Sequence, residues 1–484
     1  MPRVRGPSET TGSLAKRAPL RALARRMAAR RTLINVNYSL QRVEHGEQAP
    51  WLAVTLASML GQIGLPGGGF GQGYGSLGYV GRAPMRVGPP TLPQGRNAVS
   101  DFIPFARMAD MLLHPGEPFD FDGQRLTYPE IRLVYWCGGN PFHHHQHLGR
   151  LRRALARPQT IVVHDPFWTT MARHADIVLP ATLTLERNDI GGSPNDACLI
   201  AMRQAVEPWG ESRSEFAIFS DLAASLGVGE RFTEGRDEMA WLCLLYDGWR
   251  ARVADAVGAA PPSFDEFWAA GFLEVPGADA DLVLFEAFRA DPERAPLGTP
   301  SGRIEVFSST IDGFGYDDCP GHPSWLEPTE WLGAPLALIA NNPTTRLHSQ
   351  LDVGAFSQSS KVQGREPMRI NPVDAAARGS RDGDVVRVFN DRGSCLAGAV
   401  VTDTIRPRVV QLSTGAWYDP LDPADPGAMC VHGNPNVLTF DRGTSKLAQG
   451  CSGQHALVEA ERWTRPLPPI RAYDPPLTEQ REGM

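Results

Sequence analysis

The stretch IRLVYWCGGNP at residues 131–141 decides the fold of the first half of the chain. Its apolar run Ile131–Trp136 predicts a buried β-strand, and the Gly-Gly-Asn-Pro that follows predicts the end of that strand. Further along come patterns for a helix (HLGRLRRALAR), a second strand (TIVVHD), a short helix (WTTMARHA) and a third strand (DIVLPA). Strands that alternate with helices are typical of a parallel, doubly wound sheet, so we predict an α/β fold here.

The flanking sequence adds further elements. WLAVTLASMLGQIGLPGGGFG (51–71) predicts a helix that ends in a glycine-rich loop. Residues 207–331 are irregular, apart from a helix in SEFAIFSDLAASLG and an extended segment in TPSGRIEVFSS. From Gly333 to residue 460, β-rich runs are joined by Asp, Asn and Gly turns, and NDRG indicates a hairpin. INPVDAAARG predicts a short helix with an Asn-Pro start, within what we expect to be a compact, barrel-like β domain.

The composition is that of an ordinary globular protein and restricts its partners. A formal net charge of −7 over 484 residues argues against a general nucleic-acid binder. No apolar run approaches the roughly 18–20 residues that a membrane span needs. The seven cysteines are scattered singly with no CxxC pair, which predicts reduced thiols and a cytoplasmic location. The same scatter provides no iron–sulfur or structural zinc spacing.

The N-terminal segment is strongly basic. Residues Thr11–Val43 include eight basic side chains and no acidic one. Leu20, Leu23, Ala24 and Met27 fall at helical spacing, which predicts an amphipathic surface helix. A transit peptide is the alternative, because such peptides are rich in arginine and poor in acidic residues.

A cysteine and four histidines fall between residues 137 and 147, which raises the question of a metal site. Zinc needs ligands that converge on one point, and three consecutive histidines cannot all point one way, so we favour another use. A Gly-Gly-Asn turn between a strand and a helix exposes backbone N–H groups to a phosphate. Many such turns bind nothing, which stays the alternative. Cys137 is expected to end its strand inside the core.

Other polar groups follow strands in the same way. Asp165 ends the second strand, where a carboxylate binds a ribose hydroxyl or a purine N–H edge, or instead caps the next helix. ERND (186–189) is either a binding group or a surface turn with local ion pairs. In the C-terminal part, NNPTTRLHSQ (341–350), HGNPN (432–436) and QGCSGQ (449–454) share Asn, Gly and Gln residues. Turn chemistry explains each loop singly, but their coincidence favours one shared polar ligand.

Nine stretches of the sequence, in order, resemble the molybdopterin oxidoreductases of the dimethyl-sulfoxide reductase type over roughly residues 20–463. They are SLQRVEHGEQAPW, MLGQIGLPGGGFG, GGNPFHHHQ, ARHADIVLPATLTLERNDI, RLHSQLD, SKVQGREPMRINPVDAAARG, VVRVFNDRG, QLSTGAWYDP and HGNPNVLT. Within that family, the branch that acts on biotin sulfoxide and trimethylamine N-oxide is the most similar. The resemblance implies an incomplete α/β region with a doubly wound parallel sheet, followed by a C-terminal double-psi β-barrel.

The resemblance divides the chain into five segments. They are a basic helical segment (1–31), the molybdopterin oxidoreductase α/β region (32–225), an irregular connecting region (226–332), a molybdopterin dinucleotide-binding barrel (333–463) and a tail (464–484). It also implies a molybdenum ion held by bis(molybdopterin guanine dinucleotide), and reduction of an S-oxide or N-oxide by oxygen-atom transfer. The electrons would come from a donor protein or an NAD(P)H system.

The resemblance also assigns candidate cofactor contacts in both parts of the chain. Contacts to phosphates or guanine would come from Tyr38, Arg42, Gly138, Gly139, Asn140, Asp165, Arg187 and Glu215. Contacts to the pterin from the barrel would come from Asn342, Leu347, His348, Asn436, Gly453 and Gln454. The family usually has tryptophan at the position of Tyr38 and aspartate at that of Glu215.

One departure from the family pattern is large. Family members begin with several hundred further residues, which include the serine that ligates molybdenum, and no serine here matches that motif. We therefore expect an N-terminally truncated chain with no metal ligand of its own, which aggregates unless a separate polypeptide supplies the rest. The alternatives are a catalytically silent fragment that binds at most the nucleotide ends, and a formate- or nitrate-type oxidoreductase. SLQR and SKVQGREP favour the S-/N-oxide branch, whose complete enzymes are cytoplasmic or periplasmic.

Overall fold

The computed structural model of the chain describes residues 12–74, 81, 83, 85–193, 196–276, 281–330 and 335–477. The helices are α1 (Gly12–Ala29), α2 (Gln48–Met59), α3 (Met108–Leu113), α4 (Pro141–His144), α5 (Leu148–Leu155), α6 (Glu215–Ser225), α7 (Gly229–Thr233), α8 (Glu238–Val257), α9 (Phe264–Ala270), α10 (Glu286–Ala290), α11 (Ser309–Gly313), α12 (Ala355–Gln358) and α13 (Pro372–Ala377). The strands are β1 (Leu33–Val36), β2 (Gly69–Gln72), β3 (Pro118–Phe121), β4 (Gln124–Thr127), β5 (Leu133–Cys137), β6 (Thr160–Asp165), β7 (Ile177–Pro180), β8 (Asp189–Gly192), β9 (Cys198–Met202), β10 (Phe272–Glu274), β11 (Leu336–Ile339), β12 (Pro367–Ile370), β13 (Val385–Asn390), β14 (Gly393–Val401), β15 (Val409–Leu412) and β16 (His455–Arg462).

The first half holds two small parallel sheets, which confirm the predicted α/β pattern. β1 pairs with β2, and β5, β6 and β7 form a three-stranded sheet in that order. Helices α4 and α5 connect β5 to β6, as the alternation of patterns predicts. In the central strand β6, Ile161, Val162 and Val163 are buried. Strands covered on both faces are continuous apolar runs, which is why TIVVHD is easy to recognise in the sequence.

Strand β5 differs from its prediction in both bounds and burial. It runs from Leu133 to Cys137, and Leu133, Tyr135 and Cys137 are all exposed. β5 is an edge strand of its sheet, and alternate side chains of a strand point to opposite faces, so these three point away from the core. The expectations of a buried strand and of Cys137 inside the core are therefore wrong.

The predicted helix that ends in a glycine-rich segment within residues 51–71 is confirmed, but part of the glycine-rich segment forms a strand that was not expected. α2 ends at Met59, and Gly69–Gln72 forms strand β2, which pairs in parallel with β1. A Cβ on Gly69 would lie 2.7 Å from the Cα of Ile63, so glycine is needed where the two segments approach. Glycine has little strand propensity, and the pairing with β1 therefore decides this element.

Two other patterns form turns in place of regular elements. WTTMARHA contains only a short 3₁₀ turn at Ala172–His174, because the Thr169 hydroxyl donates to Asp165 and holds the preceding chain in a turn. TPSGRIEVFSS is fully described and contains no strand, so the expected extended segment is wrong. There the Thr299 carbonyl accepts a hydrogen bond from Gly302 N–H at 2.9 Å, and this local bond replaces pairing with a neighbouring strand.

The C-terminal part is a closed six-stranded barrel with the order β11-β15-β12-β14-β13-β16, which confirms the predicted β-barrel domain. The NDRG turn joins β13 to β14 with Asn390 opposite Gly393, which confirms the predicted hairpin. Asn371 caps α13 by accepting a hydrogen bond from Val373 N–H, which confirms the predicted helix start. Fully buried apolar side chains such as Leu338 fill the interior.

One hydrophobic core joins the α/β region to the barrel. It contains Phe142, Leu148 and Leu151 from α4 and α5, together with Leu338 and Val388 from the barrel. A second core surrounds α8 in the connecting region. Because α4 and α5 share their core with the barrel, the turn after β5 lies directly at the junction of the two parts.

Helix α1 confirms the predicted N-terminal helix, and Leu20 and Leu23 on it are exposed. Within the part of the chain that the structure describes, no helix is long and apolar enough to cross a bilayer. The expected boundary near Gly333 and the end of the tail after residue 477 lie outside the described residues. The division into five segments stays a prediction.

Candidate functional site

The turn after β5 is shaped by two glycines and a capping asparagine. Gly138 and Gly139 have φ angles of 72° and 76°, a left-handed conformation that glycine adopts without strain. A Cβ added to either residue would meet no atom within 4 Å, so both border open space. Asn140 begins α4, where its side-chain oxygen accepts a hydrogen bond from Phe142 N–H at 3.1 Å. The backbone of this turn is therefore accessible to a ligand.

Helix α4 brings two histidines against a third from the barrel. The ring centroid of His143 lies 4.6 Å from that of His144 and 5.0 Å from that of His348. The centroids of His144 and His348 lie 5.7 Å apart. These three residues form the histidine cluster. Of these three residues, the sequence analysis predicts only His348 as a cofactor contact. His143 and His144 enter it only as possible metal ligands, although their position directly after the Gly-Gly-Asn turn is a sequence signal for a ligand contact.

The histidine cluster is neutral at ordinary pH. Burial lowers the pKa of His143 to about 2 and that of His144 to about 4, with smaller contributions from the positive charge of Arg42 and from neighbouring rings. Burial, helped by Arg42, also lowers the pKa of His348. A neutral imidazole has one N–H donor and one acceptor nitrogen. The cluster therefore provides hydrogen-bonding groups and not positive charge.

Two barrel loops close around the cluster. The buried Asn436 side chain donates to the His143 carbonyl at 2.6 Å, which ties the barrel to α4. A Cβ on Gly453 would lie 3.1 Å from Cγ of Gln146 and 3.9 Å from Oδ1 of Asn436. Glycine at this position therefore lets the 449–454 loop approach the histidine segment closely.

Arg42 and the 341–350 loop complete the region where the α/β part meets the barrel, which we call the junction. Gln454 N–H donates to the Arg42 carbonyl at 3.1 Å, and the Asn140 side chain donates to the Ser349 hydroxyl at 3.4 Å. The structure thus brings several predicted residues to one region from distant parts of the sequence. They are Arg42, Gly138, Gly139, Asn140, His348, Asn436, Gly453 and Gln454.

A cavity of about 780 Å³ adjoins this junction, and Arg42, Gln449 and Cys451 are among the residues that line it. Tyr38 precedes Arg42 in a short 3₁₀ segment and packs on Gly73, where a Cβ would lie 2.2 Å from the tyrosine ring. The cavity therefore lies between residues 41–54 and the last barrel loop, and its lining includes one positive and one negative side chain, Arg42 and Glu47.

Asp165 lies at the end of β6 and makes local contacts. Its carboxylate accepts hydrogen bonds from Phe167 N–H at 3.1 Å and from the Thr169 hydroxyl at 2.6 Å. Burial raises the pKa of Asp165. The capping contact offered by the sequence as one alternative is present, although it closes a turn and not the start of a regular helix.

Four predicted residues lie away from the histidine cluster or face solvent. Glu215 begins α6, and its Oε1 lies 3.7 Å from Nδ1 of His164, next to the end of β6. Arg187 forms an ion pair two residues along the chain, as the surface-turn alternative predicts. Asn342 and Leu347 share a loop with His348 and are exposed, Leu347 to 64%.

Several buried polar atoms of the junction have no hydrogen-bond partner within the chain, and these atoms indicate which kind of cofactor would fit there. Atoms without a hydrogen-bond partner include both ring nitrogens of His143, Nε2 of His145, Oε1 of Gln146 and Nδ1 of His348. Buried polar atoms in folded proteins nearly always have partners, so this concentration indicates a ligand with several donors and acceptors. Among the described residues, no group of three or more His, Cys, Asp or Glu side chains is arranged to hold a metal ion. The junction therefore fits a heterocyclic cofactor with several hydrogen-bonding groups.

Known proteins match both parts of the chain. Residues 19–225 match the molybdopterin oxidoreductase family, and residues 336–457 match a molybdopterin dinucleotide binding domain. The dimethyl sulfoxide/trimethylamine N-oxide reductase of Cereibacter sphaeroides is 47% identical over 477 residues, which cover 94% of this chain and 58% of that protein. The chain belongs to the dimethyl-sulfoxide reductase family.

Two further members of the dimethyl-sulfoxide reductase family are similar to the chain over most of its length. Biotin sulfoxide reductase of Cereibacter sphaeroides is 48% identical over 91% of this chain and 59% of its own length. Trimethylamine-N-oxide reductase 1 of Escherichia coli (strain K12) is 45% identical over 92% of this chain and 55% of its own length. The chain thus spans between 55% and 59% of the length of these three relatives.

A solved structure supports the fold. Acetylene hydratase from Pelobacter acetylenicus superposes with a TM-score of 0.52 at 18% identity, over 69% of this chain and 45% of that one. At this identity the likeness concerns the fold alone. The two matched domains and the similar reductases identify the cofactor of this chain as molybdenum with bis(molybdopterin guanine dinucleotide).

Proposed function

We propose that this chain is the C-terminal portion of a molybdenum bis(molybdopterin guanine dinucleotide) oxidoreductase that reduces S-oxides or N-oxides by oxygen-atom transfer. The observation that carries the proposal is the junction, where a glycine turn, Arg42 and neutral histidines with partnerless nitrogens meet between the α/β region and the barrel. Substrates of the dimethyl sulfoxide, trimethylamine N-oxide and biotin sulfoxide type follow from the names of relatives that are 45–48% identical.

The residues of the chain bind and orient the cofactor. When bound, the molybdenum and its pterins supply the two-electron oxygen-transfer chemistry that protein side chains lack. Arg42 and the backbone N–H groups of the turn at 138–140 would balance phosphate charge. The neutral rings of the histidine cluster would donate to and accept from the edges of the heterocycle. Burial keeps these rings neutral, so they hold the cofactor without adding positive charge.

The remaining predicted residues stay proposals as cofactor contacts. The nucleotide ends of the cofactor would be contacted by Asp165 and Glu215, near the end of β6, and by Arg187. The other contacts to the cofactor would come from Tyr38, Asn342, Leu347, Asn436, Gly453 and Gln454. Asp165 is already bonded to Phe167 and Thr169, so it would have to share or exchange those bonds to bind a ribose.

We also propose a partner that completes the metal site. The chain contains no serine in the motif by which the family ligates molybdenum, so residues outside this sequence, on a separate polypeptide or on the same one, would supply that ligand. Electrons would come from a donor protein or an NAD(P)H system. All seven cysteines are free, which supports a cytoplasmic location.

The proposal is tested by an activity assay on two preparations. The chain is produced alone and together with the N-terminal segment of a relative, and both are assayed with dimethyl sulfoxide, trimethylamine N-oxide and biotin sulfoxide, with a reduced viologen dye as electron donor. We expect molybdate-dependent reduction only in the combined preparation. Bound guanine nucleotide without activity in either preparation supports the silent-fragment alternative and overturns the proposed reduction.

A further inference from the structure

Four charged side chains are buried together beneath the 341–350 loop. Lys361 Nζ lies 2.8 Å from Asp352 Oδ1 and 2.7 Å from Glu366 Oε2, and Arg346 lies 3.0 Å from Glu366 and 3.3 Å from Asp352. Their side chains are at most 3% exposed. These residues form the buried ionic cluster. Burial alone would raise the pKa of Asp352, but the positive charge of Lys361, helped by that of Arg346, holds it well below its usual value.

A cluster of this kind is a poor way to gain stability. Removing four charges from water costs several kcal/mol for each ion, and buried ion pairs replaced by apolar residues often give a protein that is equally stable. Fixed geometry is the best-attested benefit of such groups. The buried ionic cluster therefore calls for a role in positioning the chain segments that it joins.

The C-terminal segment closes the cluster through one hydroxyl group. Tyr473 donates to Asp352 Oδ2 at 2.9 Å and accepts from the side chain of Gln358 at 2.7 Å. The same hydroxyl lies 2.9 Å from Nε2 of His432, whose Nδ1 lies 2.8 Å from the Trp417 carbonyl. A carbonyl only accepts, so Nδ1 carries the proton, and Nε2 is an acceptor that shares the single hydroxyl proton of Tyr473 with Asp352 Oδ2. Tyr473 thus connects residues 464–477 to both Asp352 and His432.

The cluster also reaches the loop that carries His348. Arg346 lies two residues before His348, and its guanidinium donates to the Ser357 hydroxyl at 3.0 Å. Asp352 Oδ2 accepts from Trp417 N–H at 3.0 Å, and the indole of Trp417 donates to the Ser349 carbonyl at 2.9 Å. The loop is therefore bonded to the cluster on both sides of His348.

The loop needs such support because its backbone is strained. His348 has a φ angle of 54°, in the left-handed region that side chains other than glycine rarely adopt. The neighbouring barrel segment packs closely against this residue, since a Cβ on Gly415 would lie 2.0 Å from the His348 carbonyl oxygen. Strained residues persist only where the surrounding structure holds them.

We propose that the buried ionic cluster, closed by Tyr473, is a positioning device that holds the 341–350 loop so that His348 faces the cofactor. Tyr473 is then a positioning residue that acts through Asp352 and Arg346, from a segment that follows the barrel strands. The inference rests on the proposed cofactor site, but the restraint on the loop exists whether or not the cofactor is bound.

The test compares two substitutions that each remove one tyrosine hydroxyl. Tyr473→Phe removes the hydroxyl that closes the cluster, and Tyr246→Phe removes a hydroxyl that donates to the Pro262 carbonyl at 2.9 Å in the second core, as a matched control. Both are prepared as the chain alone or with the N-terminal segment of a relative, whichever is monodisperse. We expect Tyr473→Phe to release guanine nucleotide about tenfold faster, because a hydrogen bond to a charged group is lost. Tyr246→Phe is expected to release it at the unsubstituted rate.

Amide hydrogen exchange provides a second measurement that does not need the cofactor. Tyr473→Phe should speed exchange at residues 341–350, whereas Tyr246→Phe should leave those amides unchanged. Equal exchange in the two variants, or nucleotide release that is the same in both, overturns the inference. If no preparation holds guanine nucleotide, the proposed function fails separately, and faster exchange in Tyr473→Phe still shows that the hydroxyl restrains the loop.

Discussion

The barrel and the α/β region differ in how completely they pair their strands and bury their apolar side chains. Each of the six barrel strands pairs with two neighbours, and Leu338 and Val410 inside the barrel are 0% exposed. The α/β region has open sheets of two and three strands, and its α2 exposes Leu52 to 56% and Met59 to 81%. Parallel sheets are normally covered on both faces, so we expect the exposed side of the α/β region to dock against further polypeptide, as the proposed function requires. The barrel, in contrast, leaves no strand edge unpaired among its six strands.

The largest effect expected from this difference is on solubility. Produced alone, the chain should aggregate, because the apolar face of α2 at Leu52, Leu56 and Met59 lies open to solvent. Production together with the N-terminal segment of a relative should yield a monodisperse complex, which size-exclusion chromatography with light scattering can detect. A chain that is monodisperse and unfolds cooperatively without any partner would contradict this prediction.

Matched leucine truncations sharpen the comparison in free-energy terms. In the chain produced alone, at a concentration low enough to prevent aggregation, Leu338→Ala should lower the free energy of unfolding by about 2–5 kcal/mol, because it opens a cavity in a closed core. Leu52→Ala removes the same atoms from an exposed position, so it should change the free energy of unfolding of the chain by about 0.5 kcal/mol or less. Denaturant titration measures both. Equal losses would show that α2 is already covered within the chain.

The two regions also differ in how much their sequence predicts. TIVVHD and the NDRG hairpin carry local signals, a continuous apolar run and a turn dipeptide, so β6 and the β13–β14 pair are predictable. Strand β2 has no such signal, because its glycines become a strand only by pairing with β1. The exposure of Cys137 follows from the edge position of β5, which is a property of the whole sheet.

The candidate site shows the same limit. The loops at Gly138–Asn140 and His348 are predictable from turn chemistry and from the family resemblance. The convergence of His143 and His144 on His348 is not, because it depends on the shared core that presses α4 against the barrel. The buried ionic cluster is also invisible in sequence, where Lys361 and Glu366 resemble ordinary surface residues.

A charge substitution tests the junction between the two regions. Arg42→Gln should weaken retention of guanine nucleotide about tenfold, because a charge-assisted contact to a phosphate is lost. Arg125→Gln is the control, since Arg125 pairs with Asp120 on the exposed β3–β4 hairpin. Nucleotide released per mole of chain after dilution measures the effect. Equal retention by the two variants would place the phosphates away from Arg42.

The smallest effect expected is a pH dependence from the histidine segment. Burial lowers the pKa of His145 to about 3 from its usual 6.5. Between these values the unfolded chain binds the additional proton, so the free energy of unfolding falls as the pH drops below about 6.5, by about 1.4 kcal/mol per pH unit. His145→Gln should remove that much of the slope, whereas the unsubstituted chain should keep it. Denaturant titrations between pH 5 and 7 measure both slopes, and identical slopes would contradict the assignment.

The most direct test of the central claim is the content of molybdenum and guanine nucleotide per mole of chain after expression in a host that makes the cofactor. We predict near-stoichiometric guanine nucleotide, bound at the junction of the α/β region and the barrel, and molybdenum that accompanies it once the N-terminal segment is present. A well-folded preparation that holds neither guanine nucleotide nor molybdenum would contradict the account, since the chain would then keep the fold of its family without its cofactor site.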